Sequence, residues 1–142
     1  MKIAFGSDHG GFKLKGDLLS FAQKQGYEVL DFGTFSEQRV DYPDYARIVG
    51  CSVTSGETDF GVLICRSGEG MTIAANKIRG IRAALGWNRA VAELSRRHNN
   101  ANLLCFGADF VTPEDAEEIF LAWLSTPFEG GRHQRRVEKM EI

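Results

Sequence analysis

Neither sign of charge dominates this sequence: 17 Lys and Arg stand against 19 Asp and Glu, a formal net charge of −2. A chain so balanced has no overall pull toward nucleic acid or anionic lipid, so neither is expected as a partner and any charged ligand has to be argued locally. Long apolar runs are missing as well. The opening MKIAFGSDHGG turns polar after one lysine and a short apolar stretch, which reads neither as a secretory signal nor as a membrane span, and a cytoplasmic location is expected. Cysteine is sparse: Cys51, Cys65 and Cys105 are odd in number and show no CxxC spacing, which argues against a disulfide framework and a zinc site and for free thiols.

What is present is ordinary for a soluble protein. Hydrophobic residues at 43% and charged residues at 25% set aside disorder and low complexity, and 142 residues suit one domain, 1–142, being too few for two separate cores. Five short apolar runs recur: KIAFG at Lys2–Gly6, YEVLDF at Tyr27–Phe32, FGVLIC at Phe60–Cys65, GIRAAL at Gly80–Leu85 and NLLCFG at Asn102–Gly107. They are nearly unbroken instead of alternating, the pattern of parallel strands buried on both faces.

Helical patterns fill the intervals. Gly11–Gln25 puts Leu14, Leu18, Phe21 and Ala22 on one face and stops at Gly26. A second helix runs from near Pro43 to before Gly56, and a short one follows Gly70 through MTIAANK. Asn88–His98 carries Val91, Leu94 and His98 on one stripe, and Pro113–Ser125 carries Ala116, Ile119, Phe120, Trp123 and Leu124. The tail Arg132-His133-Gln134-Arg135-Arg136 reads as a final helix reaching away from the sheet. This alternation predicts an α/β fold: a doubly wound, Rossmann-like three-layer sandwich with a five-stranded parallel sheet, a C-terminal helical tail, and ligands at the carboxyl ends of the strands.

The chemistry-bearing residues gather at such ends. Asp8 and His9 follow the first strand, where Asp8 either caps the next helix or faces the crevice. The third strand ends in Cys65-Arg66-Ser67-Gly68-Glu69-Gly70 and runs into a helix, so free N–H groups of the loop and the helix dipole suit a phosphate or a developing oxyanion. No GKS or GKT follows, and no GxGxxG follows the first strand, which weakens a nucleotide-binding reading. Cys65 has two readings: a base whose thiolate is favoured by those N–H groups and Arg66, or a buried small hydrophobe, the reading given to Cys51 and Cys105. His98 sits at a helix C-terminus, which stabilises its cation; it also suits a proton shuttle, with Asn99 as an oxyanion donor. His9, His98 and His133 lack HxH or HExxH spacing, so no metal is expected. Arg132 and Arg136, four apart, point the same way on a helix, either toward a phosphate or as a solvated basic end.

Taken together, SDHGGF, VDYPDYA, LIC with its glycine loop, IAANKIRGIRAAL, SRRHNNAN and PFEGGRHQRRV resemble, in order and over nearly the whole chain, ribose-5-phosphate isomerase of type B, in the family that also holds allose- and galactose-phosphate isomerases. The resemblance implies a cofactor-free aldose–ketose isomerase working through an enediol on a sugar phosphate, as a homodimer with sites between subunits; tetramers of such dimers also occur. It implies that Cys65 takes the proton, that Ser67 and the N–H groups of the loop through Gly68, Glu69 and Gly70 stabilise the enediolate, and that His98 helps open the ring. Asn99 would hold the enediolate, Asp8, His9 and Tyr42 would contact substrate, and Arg132 and Arg136 would bind phosphate. Rival readings are an isomerase of another aldose phosphate, such as allose 6-phosphate, and a sugar-phosphate-binding protein without turnover.

Two positions depart from the family pattern. Arg66 and Ser67 stand where the loop usually has glycine and threonine; serine keeps the hydroxyl, while Arg66 adds charge and bulk and strains the loop if that glycine needs positive φ. Asp109 stands where an arginine often contacts phosphate. One expectation joins the two: Arg66 supplies the missing cation and pairs with Asp109 when the site is empty. Glu69 is an alternative base, but family members without the cysteine carry their glutamate where this chain has Met71.

Overall fold

A computed structural model describes residues Met1 to Glu141. Five strands form one parallel sheet: β1 (Lys2–Ser7), β2 (Glu28–Asp31), β3 (Phe60–Cys65), β4 (Ala83–Leu85) and β5 (Leu103–Gly107), in the order β2-β1-β3-β5-β4. The helices are α1 (Phe12–Lys24), α2 (Tyr42–Thr54), α3 (Glu69–Asn76), α4 (Arg89–Asn99), α5 (Pro113–Ser125) and α6 (Arg132–Met140). A 3-10 turn, His9–Gly11, leads into α1. Pro43 and Pro113 sit in first turns, where a missing N–H costs nothing, and the side chains of Asn88 and Thr112 cap α4 and α5 by accepting from Val91 N and Asp115 N.

Strand alternation sorts the core into two layers. Ile3, Phe5, Val62, Ile64, Leu104 and Phe106 face α1, α4 and α5, where Leu18, Phe120 and Trp123 are fully buried. Ala4, Leu63, Cys65, Leu103 and Cys105 face α2 and α3 through Val49, Met71 and Ala75. Each large apolar side chain so buried contributes roughly 1.5–3 kcal/mol. β1 has β2 on one side and β3 on the other, with Ser7 level with Ile64, and Cys65 is level with Gly107 on β5. The chain reverses its winding direction at β1, so the crevice opens at the carboxyl ends of β1 and β3.

Several expectations need correction. Only the three central strands are buried beyond their first residue; β2 and β4 are edges and half-exposed. β4 begins at Ala83, not Gly80, because Gly80 turns at φ 87° and the N–H of Arg82 goes to the Asn102 side chain instead of a ladder carbonyl. The stripe on α4 faces outward: Val91 and Leu94 are exposed, and Ala92, Ser95 and Arg96 are buried. The Arg96 guanidinium lies 4.9 Å over the Phe60 ring and 5.8 Å over Trp123; one terminal nitrogen donates to the Ala101 carbonyl at 2.7 Å and to Asn100 Oδ1 at 2.8 Å, its buried Nε has no hydrogen-bond partner among the described residues, and its face covers the core. Cys51 is exposed, not a core hydrophobe. α6 packs back against α4. No helix among the described residues is long and apolar enough to cross a membrane.

Candidate active site

The carboxyl ends of β1 and β3 bring Asp8, His9 and the Cys65–Gly70 loop together. Asp8 is buried and its Oδ1 accepts the Gly11 N–H at 3.1 Å, so the capping reading is realised, while the Asp8 N–H donates to the Ile64 carbonyl and ties the two strand ends. His9 Nδ1 accepts from Val40 N–H at 3.2 Å. The Cys65 thiol is buried at the floor of the loop, and its sulfur accepts the Gly68 N–H at 3.2 Å. Gly68 has φ 79°, and a Cβ there would lie 2.5 Å from Leu85 Cδ1 and 2.9 Å from the Gly107 nitrogen, so only glycine closes this turn. Above it, Ser67 Oγ accepts the Glu69 N–H, the first amide of α3, at 3.2 Å, and the helix starts here with the positive end of its dipole toward the loop. The Tyr42 ring covers Gly70 so closely that a Cβ there would meet it at 2.7 Å.

A hollow of about 570 Å³ lined by Ser67, Glu69, Leu85, Trp87 and Phe110 opens beside this loop, a volume in the range of small-molecule sites. Arg66 stands at the rim. Its Nε donates to Asp109 Oδ2 at 3.0 Å, its carbonyl accepts the Asp109 N–H at 3.0 Å, and its stem crosses Gly10, where a Cβ would sit 2.3 Å from Arg66 Cγ. Among the described residues Asn100 is the only non-glycine at positive φ, so Arg66 occupies the loop without the feared backbone strain.

The three thiols differ sharply in setting. Burial pushes the Cys105 thiol up to about 12, with Cys65 nearby adding to the rise and the Thr72 hydroxyl opposing it. A thiol held there stays protonated at neutral pH and takes no part as a base. Cys65 alone lies buried under backbone N–H groups at the mouth of a loop.

The remaining predicted residues lie elsewhere. His98 and Asn99 end α4, just before β5 begins, and Arg132 and Arg136 lie on α6 against it. These are at the amino edge of the sheet. The five residues of β5 separate that edge from Gly107 beside Cys65, roughly 16 Å at strand rise. Within one chain, therefore, the base loop and the histidine–arginine group do not meet.

At this amino edge His98 stacks on His133, centroids 4.3 Å apart and planes 9° from parallel. His133 is buried, and its Nε2 has no hydrogen-bond partner among the described residues; Glu129 Oε2 is 3.5 Å away. Burial, then the neighbouring His98 and Arg132, push the His133 imidazole below its ordinary range, with Arg136 adding to the fall and Glu129 opposing it. His98, Glu129 and His133 place donor atoms within 4.8 Å of one another. Parallel rings, however, aim their in-plane lone pairs along parallel planes, so one ion cannot lie in both unless a ring turns, and the set does not fit a resident metal as it stands.

His133 and Ser7 were not foreseen as site residues. Ser7 is fully buried at the end of β1 with an unpartnered hydroxyl among the described residues, and its one sequence signal is a small polar residue closing a buried strand. His133 shows in sequence only as part of a basic run.

Known proteins resemble this chain in sequence and in fold. A family model described as Ribose/Galactose Isomerase matches residues 3–140. Ribose-5-phosphate isomerase B of Escherichia coli is 51% identical over 137 residues, covering 96% of this chain and 92% of the relative. The crystal structure of a ribose 5-phosphate isomerase from Thermotoga maritima superposes with a TM-score of 0.97 at 51% identity, over 99% of this chain and 97% of that one. The enzyme of Mycoplasma genitalium, solved with bound ribulose-5-phosphate, superposes with a TM-score of 0.93 at 40% identity, over 98% and 93% of the two chains.

Proposed function

The chain belongs to the ribose/galactose isomerase family, and from that premise we propose that residues 1–142 act as one domain interconverting ribose 5-phosphate and ribulose 5-phosphate. The observation that carries the reading is the Cys65 sulfur accepting the Gly68 N–H at 3.2 Å at the mouth of the glycine loop. That contact holds the sulfur at the head of the loop beside Ser67 and the start of α3, where a carbon-acid base has to sit. Relatives named for this reaction, one of them solved with ribulose-5-phosphate, support the substrate.

In the reaction, Cys65 Sγ takes the proton from C2 of the open-chain aldose. The C2 electron pair forms the C1–C2 double bond, and the carbonyl electrons move onto O1. Ser67 Oγ and the loop N–H groups through Gly70 stabilise that oxyanion, a contribution of about 3–4 kcal/mol per well-placed donor. One proton shifts from O2 to O1, and Sγ–H returns its proton to C1, giving the 2-ketose with no net gain or loss. His98 moves the proton that opens the furanose ring, Asn99 donates to the enediolate, and Asp8, His9 and Tyr42 border the sugar. Arg132 and Arg136 hold the phosphate, which does not react and serves as an anchor.

These groups lie at opposite edges of one sheet, so we propose a homodimer in which His98, Asn99, Arg132 and Arg136 of one copy complete the Cys65 loop of the other. Free cysteines fit a reducing cytoplasm as its place of work.

The test is conversion of ribose 5-phosphate in the presence of a chelator. Cys65→Ala should lose about 10³-fold in kcat. Mixing inactive Cys65→Ala with inactive His98→Ala should restore roughly a quarter of wild-type activity, since half the dimers are mixed and each regains one intact site. No recovery on mixing would refute the shared site, and turnover kept by Cys65→Ala would move the base elsewhere, with Glu69 first to examine.

A further inference from the structure

At the amino edge of the sheet, one guanidinium touches both helices that carry the second half of the site. Arg82 precedes β4, and its side chain is only 19% exposed. Its Nε donates to the carbonyls of Asn99 and Asn100 at 3.1 Å each, at the negative end of the α4 dipole. Its terminal nitrogen pairs with Glu141, which follows α6. The same Glu141 carboxylate accepts the Gly80 N–H at 3.2 Å. Asn102 locks the segment from below, accepting the Arg82 N–H at 2.8 Å and donating to the Gly80 carbonyl at 2.8 Å.

α6 needs such an attachment. It has nine residues, of which only His133 and Val137 are buried, and a helix that short is marginal without tertiary support. Among the helices it packs substantially only on α4, where His133 in its first turn stacks on His98. Its C-terminal end is held by Glu141. Arg136 lies five residues before Glu141, about 7.5 Å along the axis, and Arg132 about 13.5 Å, so Glu141 does not reach the ligand that those arginines would bind.

We infer that Arg82 and Glu141 form a clamp that fixes α6 on α4 and thereby sets the spacing of Arg132 and Arg136 from His98 and Asn99. The inference rests on the proposed phosphate role of that arginine pair. Glu141 is a positioning residue: it acts on the phosphate through α6, and the chemistry at C1 and C2 proceeds without it.

The experiment compares Glu141→Ala, Glu141→Gln and Arg132→Gln as full chains, measuring kcat, KM for ribose 5-phosphate and competitive inhibition by inorganic phosphate. Loosening α6 should raise KM and the phosphate inhibition constant together by about fivefold in Glu141→Ala, less in Glu141→Gln, with kcat within about twofold of wild type. A Glu141 that merely stabilises the fold would lower Tm and leave both constants unchanged; that result, with Arg132→Gln impaired, overturns the clamp alone. Unchanged constants in Arg132→Gln would overturn the phosphate reading and the clamp with it. A fall in kcat at constant KM would also refute the clamp, since it would place Glu141 in the chemical step.

Discussion

The two edges of the sheet prepare their functional groups by different physics. At the carboxyl edge, backbone does most of the positioning: the Gly68 N–H faces the Cys65 sulfur, the Glu69 N–H faces Ser67, and Gly68 and Gly107 pack so tightly that side chains are excluded. At the amino edge, long polar side chains do it. Arg82 spans from α4 to Glu141, His98 lies on His133, and Arg97 reaches toward Glu129 at 3.8 Å. The first arrangement is rigid because its errors are steric. The second depends on charge and on a short helix, and is softer. On the roles proposed above, strict geometry would sit where an enediolate must be met to within a fraction of an ångström, and compliance where a phosphate would be gripped.

The sharpest way to break this comparison is Gly68→Ala. At φ 79° an alanine is strained, and its Cβ would meet Leu85 and the Gly107 backbone below 3 Å. The cost should be about 3 kcal/mol. A thermal melt should then fall by roughly 10 °C, and turnover should fall more than a hundredfold as the N–H leaves the sulfur. A melt within a degree or two of wild type would show the carboxyl edge to be as compliant as the other.

A smaller effect is expected at the rim, where Arg66 and Asp109 pair with side chains 69% and 46% exposed. Such a pair contributes about 0–1 kcal/mol to stability. Arg66→Gly should therefore leave the melt unchanged and raise KM for ribose 5-phosphate by about threefold, because a guanidinium is lost from the mouth of the site. An unchanged KM would remove Arg66 from substrate binding and leave it as a surface partner of Asp109.

The same contrast explains what could be read in advance. All five strands were legible, since each centres on a mostly apolar run, though the polar ends of the two edge strands blurred their bounds; so was the Cys65 loop, since glycines and a cysteine at a strand end carry their chemistry in their identity. Interactions between distant side chains were not. Nothing in SRRHNN says that Arg96 turns inward over Phe60 and Trp123 while Val91 and Leu94 turn out, because a hydrophobic stripe counts residue types and not the aromatic faces a guanidinium can cover. Nothing in the basic tail marks His133 as the buried member. That His98 and Cys65 lie at opposite edges follows only from knowing that β5 runs between them.

The subtlest expected effect tests the softness of the amino edge through pH. The His133 imidazole is held below its ordinary value of 6.5 by burial and by His98, Arg132 and Arg136, against Glu129. The sign follows from linkage: above 6.5 the imidazole is neutral in both folded and unfolded chains and contributes nothing to pH dependence. As pH falls below 6.5 the unfolded chain takes up a proton that the folded chain resists, so stability declines until the folded pKa is passed, where the decline stops. His133→Gln removes the group and should flatten this limb of the stability curve in urea melts taken between pH 7 and pH 5. The buried Cys105 thiol, at about 12, does not titrate in that interval. An identical slope in the variant would mean that the stack accepts a proton freely, and that His98 and His133 do not constrain each other's charge.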